Sequence, residues 1–284
     1  MRTLPDIQEE RDHRGLDIAC VGVTGVRMPV RLLRRTDDER LNPTTGPTMD
    51  TVGEFELSTF LSKEVKGTHM SRFTEVLQSH IDHGGIFSHA DLMLVTKELR
   101  NRLISPYVKV RLVCDYFVLQ PSPETKRKGV APLKGILEAE CLKDGNILLA
   151  TGVEMEGQTC CPCSRLISDF DPEIGKGRGA HAQRSHVSVL LRHSPVRMIW
   201  FEELVEIIWK AYSSPVYPVL KRLDERAVTI QAYDHAKFVE DVIRDVIVGL
   251  HTLSLKGAHY TVRVQNAESI HYHDAFASDT GTLL

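Results

Sequence analysis

The chain has 284 residues, 42% hydrophobic and 26% charged, with 35 basic against 38 acidic side chains and a formal net charge of −3. This is the composition of an ordinary folded protein, long enough for one large domain or two modules. The near balance of charge excludes a global field for nucleic acid or an anionic membrane surface.

The leader MRTLPDIQEERDHRG has no apolar core of a signal peptide, and no run approaches the length that spans a bilayer. The expectation is a cytoplasmic protein with reduced thiols and neither a membrane nor a nucleic-acid partner. After residues 1–15, LDIACVGVTGVRMPVRLL (16–33) is rich in Val and Leu, and its Gly and Pro punctuation predicts one or two short strands. TDDERLNPTTGPT (36–48), broken by Pro43, Gly46 and Pro47, predicts a surface insertion. VGEFELSTFL predicts a strand with Phe55 and Leu57 on one face.

The period then changes. Phe73, Val76, Leu77 and Ile81 fall at helical spacing, His83-Gly84-Gly85 stops that helix, and Ser88 is a candidate cap for a second running through Leu99 and Leu103. YVKVRLVCDYFVLQ and LKGILEAECLKDGNILLATGVEME return to strand character across the break PSPETKRKGVAP. In the second half RSHVSVLLRH predicts a strand, WFEELVEIIWKAY and KFVEDVIRDVIVGL predict helices with apolar stripes, and AHYTVRVQN predicts a closing strand. Helices grouped in this way predict an α+β fold with mostly antiparallel sheets, not a doubly wound nucleotide fold. The plan of strand, strand, helix, helix, strand, strand, read twice over, suggests modules at 16–148 and 149–284. GxGxxG and Walker loops are absent, and GKGRG (175–179) follows no strong strand.

Chemistry concentrates in QTCCPCSRLIS (158–168), where Cys160, Cys161 and Cys163 crowd together. CPC is too tight for the CxxC knuckle of a structural zinc site, and no second cysteine pair follows, so any metal shell must be completed by His or carboxylate. A mixed, incomplete shell leaves room for water, whose pKa a metal lowers from about 16 to about 7. Alternation along an extended chain would put the Cys161 and Cys163 thiols on one face and aim Cys160 away. Candidate partners are His181, Glu225, Glu240, Glu268, His271 and His273. Any one of these alone is more simply a solvated or hydrogen-bonded side chain. Cys20, Cys114 and Cys141 lie in apolar runs and read as small core residues.

Six segments in order, KGTHMSRF (66–73), TCCPCSRLIS, GAHAQRSHVSV, KRLDERAVT, KFVEDVIRD and ESIHYHDAFA, resemble the type IB GTP cyclohydrolases, and the likeness runs from PDIQEERD nearly to the C-terminus. The resemblance implies a bimodular tunnelling fold, a homotetramer with active sites at subunit interfaces, and a divalent metal, whether zinc, manganese or ferrous iron. It implies Cys161, His181 and Glu225 as metal ligands, Cys163 as active-site support, and Glu268 and His271 as acid-base groups beside the metal. Glu240 resembles the carboxylate that anchors the purine, a role suited to accepting two parallel hydrogen bonds from the guanine N1–H and 2-amino edge. The local cations for a triphosphate are Lys66, His69, Arg72, Arg184 and Arg222.

The implied reaction converts GTP and water to 7,8-dihydroneopterin triphosphate and formate, at the head of folate or deazapurine synthesis. Two features depart from the family pattern: the extra stretch FDPEIGKGRG after the cysteines, and Ala267 where a bulkier apolar residue is commoner. A nitrile reductase of the same fold would carry an ESKSLK-type motif, which is absent. A zinc-bound or thiol redox-sensing interaction protein is the non-enzymatic alternative, and it gives no reason for Glu225, Glu240 and ESIHYHD to accompany the cysteines.

Overall fold

The computed structural model describes residues 6–35, 47–170 and 179–284. Most of the insertion expected at 36–48 and of the GKGRG run lies outside them. Contacts divide the chain into two compact units: one holds the chain up to Cys114 with Ile136–Ala150 and Ser194–Met198, the other Asp115–Gly135, Thr151–His193 and Ile199–Leu284.

In the first unit β1 (Ile18–Leu33) pairs antiparallel with β2 (Thr48–Leu61), which pairs with β3 (Val108–Pro121). Alternation on β2 turns Phe55 and Leu57 inward, beside Val110 and Leu112 of β3. Helix α1 (Met70–Asp82) buries Phe73, Val76 and Leu77, and α2 (His89–Leu103) buries Leu92, Val95 and Leu99, the i, i+3, i+4 and i+7 stripe its sequence predicts. Ser88 caps α2 as expected: it accepts from the Asp91 amide, and the Asp91 carboxylate accepts from the Ser88 amide in return.

Two expectations for this unit are corrected. Residues 18–33 form one continuous strand, bent by irregular register between Val23 and Val26 where Gly25 adopts φ +71°. Cys20 is exposed, because only the far end of β1, at Val30, Leu32 and Leu33, is covered. Cys114 and Cys141 are buried as expected, and the Cys141 sulfur also accepts a hydrogen bond from Arg100 Nη1 at 3.1 Å.

Strand β4 (Lys128–Cys141) brings a buried charge into this unit. Glu138, 1% exposed, pairs with Lys109 Nζ at 2.9 Å and with the Arg111 guanidinium. Burial pushes its carboxyl pKa up, but Lys109 and then Arg111 outweigh that and hold it below the usual carboxylate value.

The second unit carries β5 (Ile147–Cys160) from Thr151 onward, with β6 (Ala182–His193), β7 (Ser214–Pro215), β8 (His259–Ala267) and β9 (Ala275–Thr282). Among the described residues the strand order is β1-β2-β3 in the first unit and β5-β6-β8-β9 in the second, with β7 on β5. Helices α4 (Phe201–Ala211) and α6 (Val239–His251) supply Leu204, Val205, Ile208, Val242 and Val246 to a core completed by Val187, Val189, Val262 and Val264 of β6 and β8. Tyr212 lies against Gly157, where an added Cβ would stand 2.2 Å from the ring, and its hydroxyl donates to the Met155 carbonyl.

Four elements went unforeseen: α3 (Pro162–Ser168), α5 (Arg222–Asp234), β7 and β9. Helix α5 buries only Asp224 and Ala232, so it shows no apolar stripe. It is tethered by polar contacts instead. The Asp224 carboxylate accepts from Thr125 Oγ1 and from the amides of Glu124, Thr125 and Lys221. Strand β9, AFASDTGT, joins through backbone pairing to β8 without hydrophobic alternation. No helix among the described residues is long and apolar enough to cross a membrane.

Candidate active site

The cysteine cluster sits where β5 ends and α3 begins. Pro162 starts the helix, a position where its missing N–H costs nothing, and Cys161 becomes the cap, its sulfur accepting from the Ser164 amide at 3.4 Å. The chain therefore leaves the extended conformation between the two cysteines. Cys161 is half-buried and Cys163, in the first turn, is exposed, so the expectation that alternation puts both thiols on one face is corrected. All six cysteines are free. Cys160 is buried, and that burial pushes its thiol pKa up, which suits an inert side chain.

The main chain of this junction gathers the distant segments. The Cys161 amide donates to the His181 carbonyl at 3.0 Å, the His181 amide donates to Ser164 Oγ at 3.3 Å, and the Lys237 amide, three residues before Glu240, donates to the Cys160 carbonyl at 3.0 Å. Arg165 fixes α3 from the other side: its guanidinium donates to the carbonyls of Tyr233 and Asp234 at the end of α5 and lies over the Tyr233 ring.

His181 and Glu268 come together, with 3.8 Å between Nδ1 and the carboxylate, both side chains less than a fifth exposed. Gln183, which the sequence did not single out, lies against both. Its place two residues after His181, at the start of β6, was the available signal. His271 is exposed three residues beyond Glu268, its ring stacked on that of His273 with centroids 5.1 Å apart. Glu240 and Glu225 are exposed in the first turns of α6 and α5. Eight residues of helix separate Glu225 from Tyr233, about 12 Å of rise along α5 from the Arg165 anchor.

Cys161, His181 and Glu225 do not form a group of ligand atoms within 4.8 Å among the described residues; the group that does is Asp6, Glu9 and His69 in the first unit. There His69 Nε2 lies 3.5 Å from Glu9 and 3.7 Å from Asp6, while Arg72 donates to the Arg102 carbonyl, and both side chains line a cavity of about 520 Å³. Lys66 pairs with Glu10 at 3.4 Å. In the second unit Arg184 lies 3.8 Å from Glu156, and Arg222 opens α5.

A family model described as type I GTP cyclohydrolase folE2 matches residues 4–277. The chain is 37% identical over 278 residues to GTP cyclohydrolase FolE2 of Thermotoga neapolitana, 96% of each chain, and 34% identical over 275 residues to that of Dictyoglomus turgidum, again 96% of each. The chain belongs to the type I GTP cyclohydrolase FolE2 family. In fold, this FolE2-family chain is similar to the uricase of Arthrobacter globiformis, with TM-score 0.57 at 7% identity over 93% of both chains. It is similar also to the urate oxidase of Bacillus sp. TB-90, with TM-score 0.51 at 9% identity over 93% of this chain and 100% of that one. The architecture is thus the α+β tunnelling fold. For a FolE2-family site the donor chemistry fits a divalent ion: the half-buried Cys161 thiol and the His181 imidazole, beside which the Glu268 carboxylate has no Lys or Arg partner among the described residues, with Glu225 an exposed carboxylate on α5.

Proposed function

We propose that this chain is a metal-dependent GTP cyclohydrolase that converts GTP and water to 7,8-dihydroneopterin triphosphate and formate, feeding folate or deazapurine synthesis. The junction at Cys160–Cys161 supports this reading most directly, because it ties the His181 segment and the start of α6 to one point in a chain of this family.

Cys161, His181 and Glu225 would hold the zinc, manganese or ferrous ion. When bound, that ion supplies a Lewis acid and lowers the pKa of water into the neutral range. Glu240 accepts the guanine N1–H and 2-amino hydrogens, fixing the ring so that C8 is presented to hydrolysis. Glu268 and His271 hold and return the protons as the imidazole ring opens and formate leaves, and the ribose carbons then close the pterin ring. Cys163 supports the site. His69, Arg72 and Arg184, with Lys66 and Arg222, are the cations for the triphosphate. We take the functional form as a cytoplasmic homotetramer with interface active sites, the 149–284 module carrying most of the chemistry. The exposure of Glu225, Glu240 and His271 accords with groups that face another copy.

The test is incubation of anaerobically purified protein with GTP and added zinc, manganese or ferrous ion, following pterin absorbance and formate release. Turnover is expected with at least one metal, and none with any would overturn the proposal. Cys161→Ala should lose bound metal and activity together, while Cys163→Ala keeps its metal. A fully active Cys161→Ala would remove the ligand assignment.

A further inference from the structure

Gln183 is buried, 5% exposed, on the face of β6 that also buries Ser185 and Val187. Its carboxamide nitrogen lies 2.5 Å from His181 Nδ1 and 3.2 Å from Glu268 Oε2, and its oxygen accepts from Thr159 Oγ1 at 3.1 Å. Thr159 is itself fully buried on β5. A carboxamide offers two donor hydrogens and one acceptor oxygen, and each of the three has a partner here. Groups from β5, β6 and the residue after β8 are thus joined through one side chain.

We propose that Gln183, pinned by Thr159, is a positioning residue that sets the ring orientation and tautomer of His181 for a divalent ion. This rests on the reading of His181 as a metal ligand. As oriented, the carboxamide N–H donates to Nδ1. Turned over, its oxygen accepts from Nδ1–H and the bond to Glu268 is given up, which leaves the Nε2 lone pair and the Glu268 carboxylate free for a cation. The Thr159 hydroxyl can donate or accept and so holds either orientation. A ligating imidazole whose other nitrogen is held by a buried polar group is preorganised, and losing such a group typically weakens metal binding about 10–100-fold.

The experiment compares wild type, Gln183→Leu, Thr159→Val and His181→Ala by chelator competition for zinc and by the visible spectrum of the cobalt(II)-loaded proteins. Gln183→Leu is expected to bind zinc about 10–100-fold more weakly and to shift the cobalt bands. Thr159→Val should move both readouts the same way by less, and it carries the test if Gln183→Leu does not fold. Wild-type affinity and spectrum in both variants, alongside loss of metal in His181→Ala, would overturn the clamp and leave the ligand reading intact. Wild-type affinity in His181→Ala would remove the ligand reading itself, and the clamp with it.

Discussion

Glu138 in the first unit and Gln183 in the second are both buried polar side chains on strands, and they are satisfied in different ways. Glu138 is a charge closed by charge: Lys109 and Arg111 take its oxygens, and Lys109 also reaches Glu140 at 3.1 Å. Gln183 is neutral, and it spends its hydrogens on an imidazole and a carboxylate that have no Lys or Arg partner among the described residues. The first arrangement leaves nothing for a ligand, since each carboxylate oxygen already meets a cation. The second gathers an imidazole and a carboxylate around a neutral side chain and leaves their negative and lone-pair capacity unmatched by a cation. Burial and hydrogen bonding therefore do not by themselves mark a site; unneutralised donor capacity does.

Glu138→Ala tests the closed half hardest. It leaves the Arg111 guanidinium without its carboxylate and Lys109 with Glu140 alone, and denaturant unfolding should show a loss of about 3 kcal/mol with the metal content of the surviving folded protein unchanged. The pH dependence has a definite sign: a carboxyl whose folded pKa lies below its unfolded value gives stability that is present above the unfolded pKa and lost as pH falls through the folded one. Acid titration should thus narrow the gap between wild type and Glu138→Gln. A loss of metal affinity in either variant would break the contrast.

Glu240→Ala probes the open half. Losing two charge-assisted hydrogen bonds should cost about 3 kcal/mol of GTP binding, seen by calorimetry, while bound metal and melting temperature stay at wild-type values. Gly157→Ala falls in the second unit but on its packing: the new methyl meets the buried Tyr212 ring, which its hydroxyl bond to Met155 holds in place, for about 1–3 kcal/mol of destabilisation. Metal affinity measured on that variant should be unaltered. Smallest is Ser88→Ala, which removes the α2 cap and should lower stability by about 1 kcal/mol with no effect on either ligand.

What was legible in the sequence followed from period and spacing. The α1 and α2 stripes, the Ser88 cap, the inward Phe55 and Leu57, and the α4 and α6 faces are local consequences of 3.6- and 2-residue repeats. Helix α5 was hidden because its anchor is one buried aspartate gripping a loop about a hundred residues away, which leaves no repeat to read. Cys20 was misjudged because apolar composition marks a strand without saying whether anything covers it. Gln183 was hidden because its neighbours, Thr159 and Glu268, are 24 and 85 positions distant.

The sequence by itself determined the family, the α+β class and the inventory of thiol, imidazole and carboxylate groups, since motifs and periodicities are written along the chain. The tertiary structure alone decided which of those groups meet. The turn into α3 at Pro162 separates Cys161 from Cys163, and the pairing of β6 with β8 brings the His181 and Glu268 segments side by side around Gln183. Contact between side chains depends on strand register and helix docking, which arise from packing of the whole core and have no counterpart in linear spacing.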